Sequence, residues 1–296
     1  MTTQTDNPLP GFISGHLVGT AMKDVVRRAM GYIHENRMKF DAQEKVSYKL
    51  SADFVTNVDR GAQEIYRRKL TEWFPCWGIV GEEDGLNIPY KLYDGDMYFT
   101  VDPLDGTKAF IRQQSHGIGT MIALVKNDTV IAACVGDIMT GELYYFRPQS
   151  EKVHRFASWR DDRAEVLSFR HTPLSERYVL LGDDPRKLSE PIQRITDPVN
   201  HVFKDIEIMS GSIGTKMARL WKGEIGACVV TKSRCTPWDW CPVSGISAKL
   251  GFVALFNMCG EWGRMALAPT KTGFDLQSDL VIIHQEHVEE FLSSVK

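Results

Sequence analysis

Residues 98–107 read Tyr98-Phe99-Thr100-Val101-Asp102-Pro103-Leu104-Asp105-Gly106-Thr107, an apolar run that breaks into a short acidic segment. Pro103 presets the φ needed at the second position of a type I turn and Asp102 is a favoured first residue, so the pattern predicts a turn that folds the two carboxylates toward one another. Carboxylates that close repel unless a cation stands between them. Mg²⁺ suits the place, because it takes oxygen ligands and is held by one or two carboxylates with phosphate and water completing its shell. A helix beginning at Gly106 and Thr107 would point its first N–H groups at the same spot and offer a seat for phosphate. Such a constellation serves metal-assisted hydrolysis of a phosphate ester, which needs further acids from elsewhere in the chain.

Three more acidic stations lie at ordered intervals. Upstream, Lys49–Arg60 reads KLSADFVTNVDR, and Asp59 is expected to cap a helix carrying Ile65, Tyr66, Leu70, Trp73 and Phe74 that ends at Pro75. A short strand at Gly78-Ile79-Val80 is followed by Gly81-Glu82-Glu83-Asp84-Gly85. Downstream, Pro237-Trp238-Asp239-Trp240-Cys241-Pro242 places an acid at the head of a helix, with Pro242 expected in its first turn. Each alone reads as a cap or a solvated loop; in series with the 102–107 segment they read as metal carboxylates.

The bulk properties leave room for this chemistry and narrow the alternatives. A chain of 296 residues, 43% hydrophobic and 25% charged, can bury a large core in one domain or two. Its net charge of −3 carries no basic excess, which argues against nucleic-acid or membrane-surface partners. Six cysteines without CxxC spacing point to reduced thiols rather than zinc or disulfides. The polar start MTTQTDNPLPG lacks an apolar leader and no run reaches membrane-spanning length, so a cytoplasmic protein is expected.

Periodicity predicts a helix over Leu17–Met38, strands over Gly119–Lys126, Thr129–Gly136 and Glu142–Phe146, and a charged boundary over Gln149–Arg170. That boundary suggests a division into 1–150, an α+β half with most of the metal ligands, and 151–296, an α/β half with Asp239 and specificity residues. In the second half, strands at Tyr178–Leu181, Ile206–Ser210, Ile225–Val230, Phe252–Phe256 and Leu280–His284 alternate with helices around Lys216–Trp221, Trp238–Leu250 and Val288–Val295.

Taken together, Asp53-Phe54-Val55-Thr56-Asn57-Val58-Asp59, Gly81-Glu82-Glu83, Asp102–Thr107 and Trp238-Asp239 resemble the motifs of the inositol monophosphatase superfamily of Mg²⁺-dependent, lithium-sensitive phosphomonoesterases. The resemblance implies an α/β fold of the α+β kind, a layered αβαβα sandwich, and commonly a homodimer. It implies one Mg²⁺ held by Glu82, Asp102 and the Leu104 carbonyl, a second by Asp102, Asp105 and Asp239, and a third, weaker ion near Glu82. Gly106 and Thr107 would bind phosphate through backbone N–H groups, while Thr107, oriented by Asp59, would help Glu82 activate the attacking water. No histidine nucleophile is needed, and His116, the histidine nearest the segment, is taken as structural.

Where inositol phosphatases tend to carry a glutamate, this chain has Lys232. With Asp105-Gly106-Thr107-Lys108-Ala109-Phe110-Ile111 and Gly211-Ser212-Ile213-Gly214-Thr215-Lys216, it resembles the 3′(2′),5′-bisphosphate nucleotidases, which makes Lys108, Lys216 and Lys232 candidate substrate contacts. Gly119-Thr120-Met121-Ile122-Ala123-Leu124-Val125 is also similar to the histidinol-phosphatase branch. Cys241-Pro242 replaces the small pair, often Ala-Ala, found there in the family. Inositol 1-phosphate and histidinol phosphate are therefore alternative substrates, and a phosphometabolite-binding regulatory protein is the alternative outside enzymes.

Overall fold

The computed structural model describes residues 9, 13–45, 53–92, 96–157 and 164–295. The first half contains α1 (Gly15–Glu35), β1 (Ala42–Lys45), β2 (Asp53–Thr56), α2 (Asn57–Trp73), β3 (Gly78–Gly81), β4 (Asn87–Ile88), β5 (Met97–Asp105), α3 (Thr107–Ile111), β6 (Gly119–Lys126), β7 (Thr129–Asp137), β8 (Glu142–Phe146), β9 (His154–Ala157) and β10 (Glu165–Val166). The second contains β11 (Tyr178–Leu181), α4 (Glu190–Thr196), β12 (Asp205–Ile208), α5 (Ile213–Trp221), β13 (Ala227–Val230), β14 (Arg234–Cys235), α6 (Pro237–Lys249), β15 (Phe252–Met258), β16 (Glu261–Met265), β17 (Phe274–Asp275), β18 (Leu280–His284) and α7 (Val288–Ser294).

Strands β3 to β10 form one eight-stranded sheet in the order β10-β9-β8-β7-β6-β5-β3-β4, and β11, β12, β13, β15, β16 and β18 form a six-stranded sheet. The side-chain alternation of β6 divides the core. Ile122 and Leu124 pack with Val25, Val26 and Ile33 of α1 and with Tyr66 and Leu70 of α2, whereas Met121, Ala123 and Val125 face α5, α6 and the second sheet. In β18, Leu280 and Ile282 join that middle core, while Val281 and Ile283 pack outward against Ile192 of α4 and Phe291 of α7. The layers therefore run helix, sheet, helix, sheet, helix, the αβαβα sandwich that the motifs imply. The central strands of both sheets, such as β5, β8, β13 and β18, are buried on both faces, which is why they read as apolar runs with little alternation. Helix α6, in the middle layer, is apolar around most of its circumference for the same reason.

Several local expectations are corrected. Residues 102–105 belong to β5 instead of forming a type I turn. Asp102 pairs with Met121 and Asp105 with Gly119, so three steps on β5 oppose two on β6 and the extra residue makes a bulge. Asp59 is not the N-cap of α2; Thr56 is, and Asp59 closes a capping box as the third helical residue. Pro242 stands in the second turn of α6, because the helix already begins at Pro237. The first sheet runs on past residue 150 through β9 and β10. Residues 49–52 of the KLSADFVTNVDR stretch, most of the leading dozen residues and the Asp53 side chain lie outside the described residues. All six cysteines are free. Among the described residues no helix is long and apolar enough to cross a membrane.

Candidate active site

The bulge in β5 turns the Asp102 and Asp105 side chains inward together. Asp102 Oδ1 accepts the Leu104 N–H at 3.0 Å, and the Asp102 carbonyl accepts Thr120 Oγ1 at 3.1 Å, which in turn meets the Tyr66 hydroxyl at 2.8 Å. Asp105 reaches across to the other half. Its carboxylate takes the Ser212 hydroxyl and the N–H groups of Ile213 at 3.2 Å and Gly214 at 2.8 Å, the first two residues of α5. An acid at that position also complements the helix dipole. Helix α6 supplies the third carboxylate: Asp239 sits in its first turn, with Thr236 Oγ1 donating to Oδ2 at 2.7 Å. Trp240 Nε1 donates to the Ala268 carbonyl at 2.9 Å, and Cys241 Sγ, one of the two residues that depart from the family pattern, lies 3.3 Å from the Thr270 carbonyl.

Oxygens of Asp102, Asp105 and Asp239 lie within 4.8 Å of one another. Glu82 stands beside them, its Oε1 3.1 Å from Lys45 Nζ, which also bonds Glu83 at 2.5 Å. Gln63 of α2 holds this acidic turn in place, accepting the Glu83 N–H at 2.9 Å and donating to its carbonyl at 2.8 Å. Asp59, almost wholly buried, accepts the Thr56 N–H on Oδ2 at 2.8 Å and the Thr107 hydroxyl on Oδ1 at 3.0 Å. Gly106 heads α3 with φ +93°, and a Cβ there would lie 2.2 Å from the Gly117 carbonyl oxygen and 2.7 Å from the Ser212 nitrogen. Ser212 N–H itself donates to that carbonyl at 2.9 Å, so the Gly106 corner and the loop before α5 touch backbone to backbone.

Crowded acids in a buried place resist ionising. Burial first, then Glu82, Asp105 and Asp239, holds Asp102 well above the usual carboxylate range. Burial and Asp239 push Asp105 up to about 6 against the donors from Ser212 and Gly214. Glu82 is pushed up to about 8, mainly by burial, although Lys45 pulls the other way. The protein's own hydrogen bonds and Lys45 thus leave negative charge uncompensated. An all-oxygen donor set of this kind fits a hard divalent cation such as Mg²⁺ better than a softer metal.

These residues line a cavity of about 720 Å³. Gly106, Thr107, Lys108 and Lys216 border it, and so does Leu104. Lys232 does not, although Thr231, Ser233 and Arg234 do; it is exposed, and its backbone N–H is bonded to Asp279 Oδ1 at 2.7 Å. His116 is exposed and outside the lining. Sequence reasoning missed Lys45, Arg112, Arg234 and Lys271, which also border the cavity. Nothing local marks Lys45, Arg234 and Lys271, whereas Arg112 directly follows the Asp105–Ile111 segment. Gln63 and Ser212 were missed as well, and so was Thr56 as the N-cap, although its T-x-x-D spacing with Asp59 carries a legible capping-box signal.

Comparison with known proteins follows the same lines. The family model of the inositol monophosphatase family matches residues 17–295. A Nus factor SuhB of Salmonella typhimurium is 34% identical over 129 residues, 44% of this chain and 46% of that protein. An inositol-1-monophosphatase of Rhizobium meliloti is 39% identical over 100 residues, 34% of this chain and 36% of its own length. The matched stretch thus spans less than half of either relative. In structure, the chain is similar to an IMPase/NADP phosphatase complexed with Mg²⁺ and phosphate, with a TM-score of 0.70 over 95% of both chains at 16% identity. With the family model covering nearly its whole length, the chain belongs to the inositol monophosphatase family.

Proposed function

We propose that the chain is a Mg²⁺-dependent phosphomonoesterase acting on a small phosphate ester that carries a second anionic group, with a 3′(2′),5′-bisphosphate nucleotide as the leading candidate. The observation that carries the proposal is the meeting of Asp102, Asp105 and Asp239 from β5 and α6 at one end of a wide cavity. Two or three ions would be held by Glu82, Asp102, the Leu104 carbonyl, Asp105 and Asp239. Bound there, Mg²⁺ would polarise the phosphate and lower the pKa of water.

The chain's own residues supply the positioning. Thr107 donates its hydroxyl hydrogen bond to Asp59, which leaves an oxygen lone pair free to accept a hydrogen bond from water and orient it. Asp59 keeps that role because Thr56 fixes it from the other side. Glu82, on the cavity wall, is placed to hold the proton that water releases. Gly106 and Thr107 N–H groups would meet phosphate oxygens; α3 has only five residues, so the N–H groups matter more there than a helix dipole.

Support for the second anion comes from charge. Lys45, Lys108, Arg112, Lys216, Arg234 and Lys271 all border the cavity. Arg234 and Lys271 already face Asp275 and Asp96 at the rim. Lys108 and Lys216, deeper in, are the cations best placed for a substrate.

The test is phosphate release with Mg²⁺ from adenosine 3′,5′-bisphosphate, inositol 1-phosphate and histidinol phosphate. Preference for the bisphosphate, lost in Asp105→Asn, is the expected result. Preference for inositol 1-phosphate would reassign the substrate, and turnover unchanged in Asp105→Asn would overturn the site.

A further inference from the structure

A second cluster of metal-ligating side chains lies where the 169–174 segment meets the start of α7. Ligand atoms of His171, His287 and Glu290 fall within 4.8 Å of one another. Glu290 is committed on both oxygens, Oε2 lying 2.9 Å from His287 Nδ1 and Oε1 accepting the Leu174 N–H at 2.7 Å. The His287 ring is 1% exposed, yet its Nε2 is buried with no hydrogen-bond partner among the described residues. A buried, unpartnered ring nitrogen is uncommon and needs a cause. Phe169 walls the cluster, stacked on His284 at 3.5 Å and edge-on to His287 at 5.2 Å.

We infer that His171 and His287 bind a first-row divalent ion of the Zn²⁺ class, with Glu290 as the carboxylate that orients the His287 ring. When Glu290 holds Nδ1–H, the tautomer is set and Nε2 presents its lone pair, the arrangement by which a carboxylate supports a metal-bound imidazole. Imidazole donors favour Zn²⁺, Cu²⁺ or Ni²⁺ over Mg²⁺, so this site and the acidic cavity take different ions. The His171 ring, exposed and 4.8 Å centroid to centroid from that of His287, can adjust its rotamer to close on the ion, and water fills the remaining positions. Occupied, the site clips the segment that enters the second half onto the closing helix.

The test uses the full chain with excess Mg²⁺ to fill the acidic cavity. Zn²⁺ is titrated calorimetrically, and Co²⁺ is followed by its visible absorption. One site with the intense bands of tetrahedral, nitrogen-bound Co²⁺ is expected. His171→Ala should weaken Zn²⁺ roughly tenfold or more while leaving phosphate release unchanged, and Glu290→Gln should weaken it as well. Unaltered affinity in both variants, a thiolate-to-cobalt charge-transfer band, or no Zn²⁺ uptake in the presence of Mg²⁺ would each overturn the assignment.

Discussion

Replacing Gly106 by alanine tests the claim that the site is held by backbone contact between the two halves. At φ +93° an L residue is strained, by about 1–3 kcal/mol. The added Cβ would sit 2.2 Å from the Gly117 oxygen, about 1 Å inside the closest ordinary contact, and 2.7 Å from the Ser212 nitrogen. Both obstacles are backbone, so no side chain can swing aside. Moving Ser212 disturbs the hydroxyl and N–H groups that hold Asp105. A loss of about 3 kcal/mol is expected, roughly 5 °C in Tm for a chain of 296 residues. Misplacement of reacting groups by about 1 Å should lower kcat by roughly 100-fold. Gly31→Ala is the control: it is exposed in α1, its Cβ would meet nothing within 4 Å, and it should stabilise by about 0.5–1 kcal/mol. Thermal unfolding and phosphate release read both variants. A Gly106→Ala protein as stable and active as its parent would refute the reasoning.

Three further outcomes are expected. Thr107→Val preserves shape but removes the hydroxyl that Asp59 orients, so kcat should fall about 100-fold with KM little changed; an equal change in KM alone would count against the water-positioning role. In ion-free protein Glu82 and Asp105 keep protons up to about pH 8 and about pH 6, whereas the unfolded chain releases them near 4.5 and 3.8, so ion-free stability contributed by these groups falls as pH rises through that window. Because Mg²⁺ needs those carboxylates ionised, the difference in Tm between Mg²⁺ and EDTA should widen from about pH 5 to about pH 8, and a constant difference would exclude these groups as ligands. Lys216→Glu should raise KM for a bisphosphate substrate about tenfold or more, while Lys232→Glu, outside the cavity, should leave it within about twofold; the reverse order, read from initial rates, would show that the cavity lining does not select the substrate.

The acids themselves were legible. Asp59, Glu82, Asp102, Asp105 and Asp239 stand in segments whose residue types and order speak for metal and phosphate, and the buried strands announced themselves as apolar runs. Those are short-range properties, carried by neighbours a few residues apart. What the chain in one dimension left undecided is who meets whom. Lys45 reaches Glu82 and Glu83 across a gap of 37 and 38 residues, and Ser212 reaches Asp105 across 107. Lys232, close to Asp239 in sequence, does not line the cavity although Thr231 and Ser233 beside it do, whereas Lys45 and Lys271 arrive there from segments with no chemical signature. Local propensity depends on adjacent residues, but the charge balance of a cavity depends on which loops the packing of five layers brings to one place, and only the folded chain decides that.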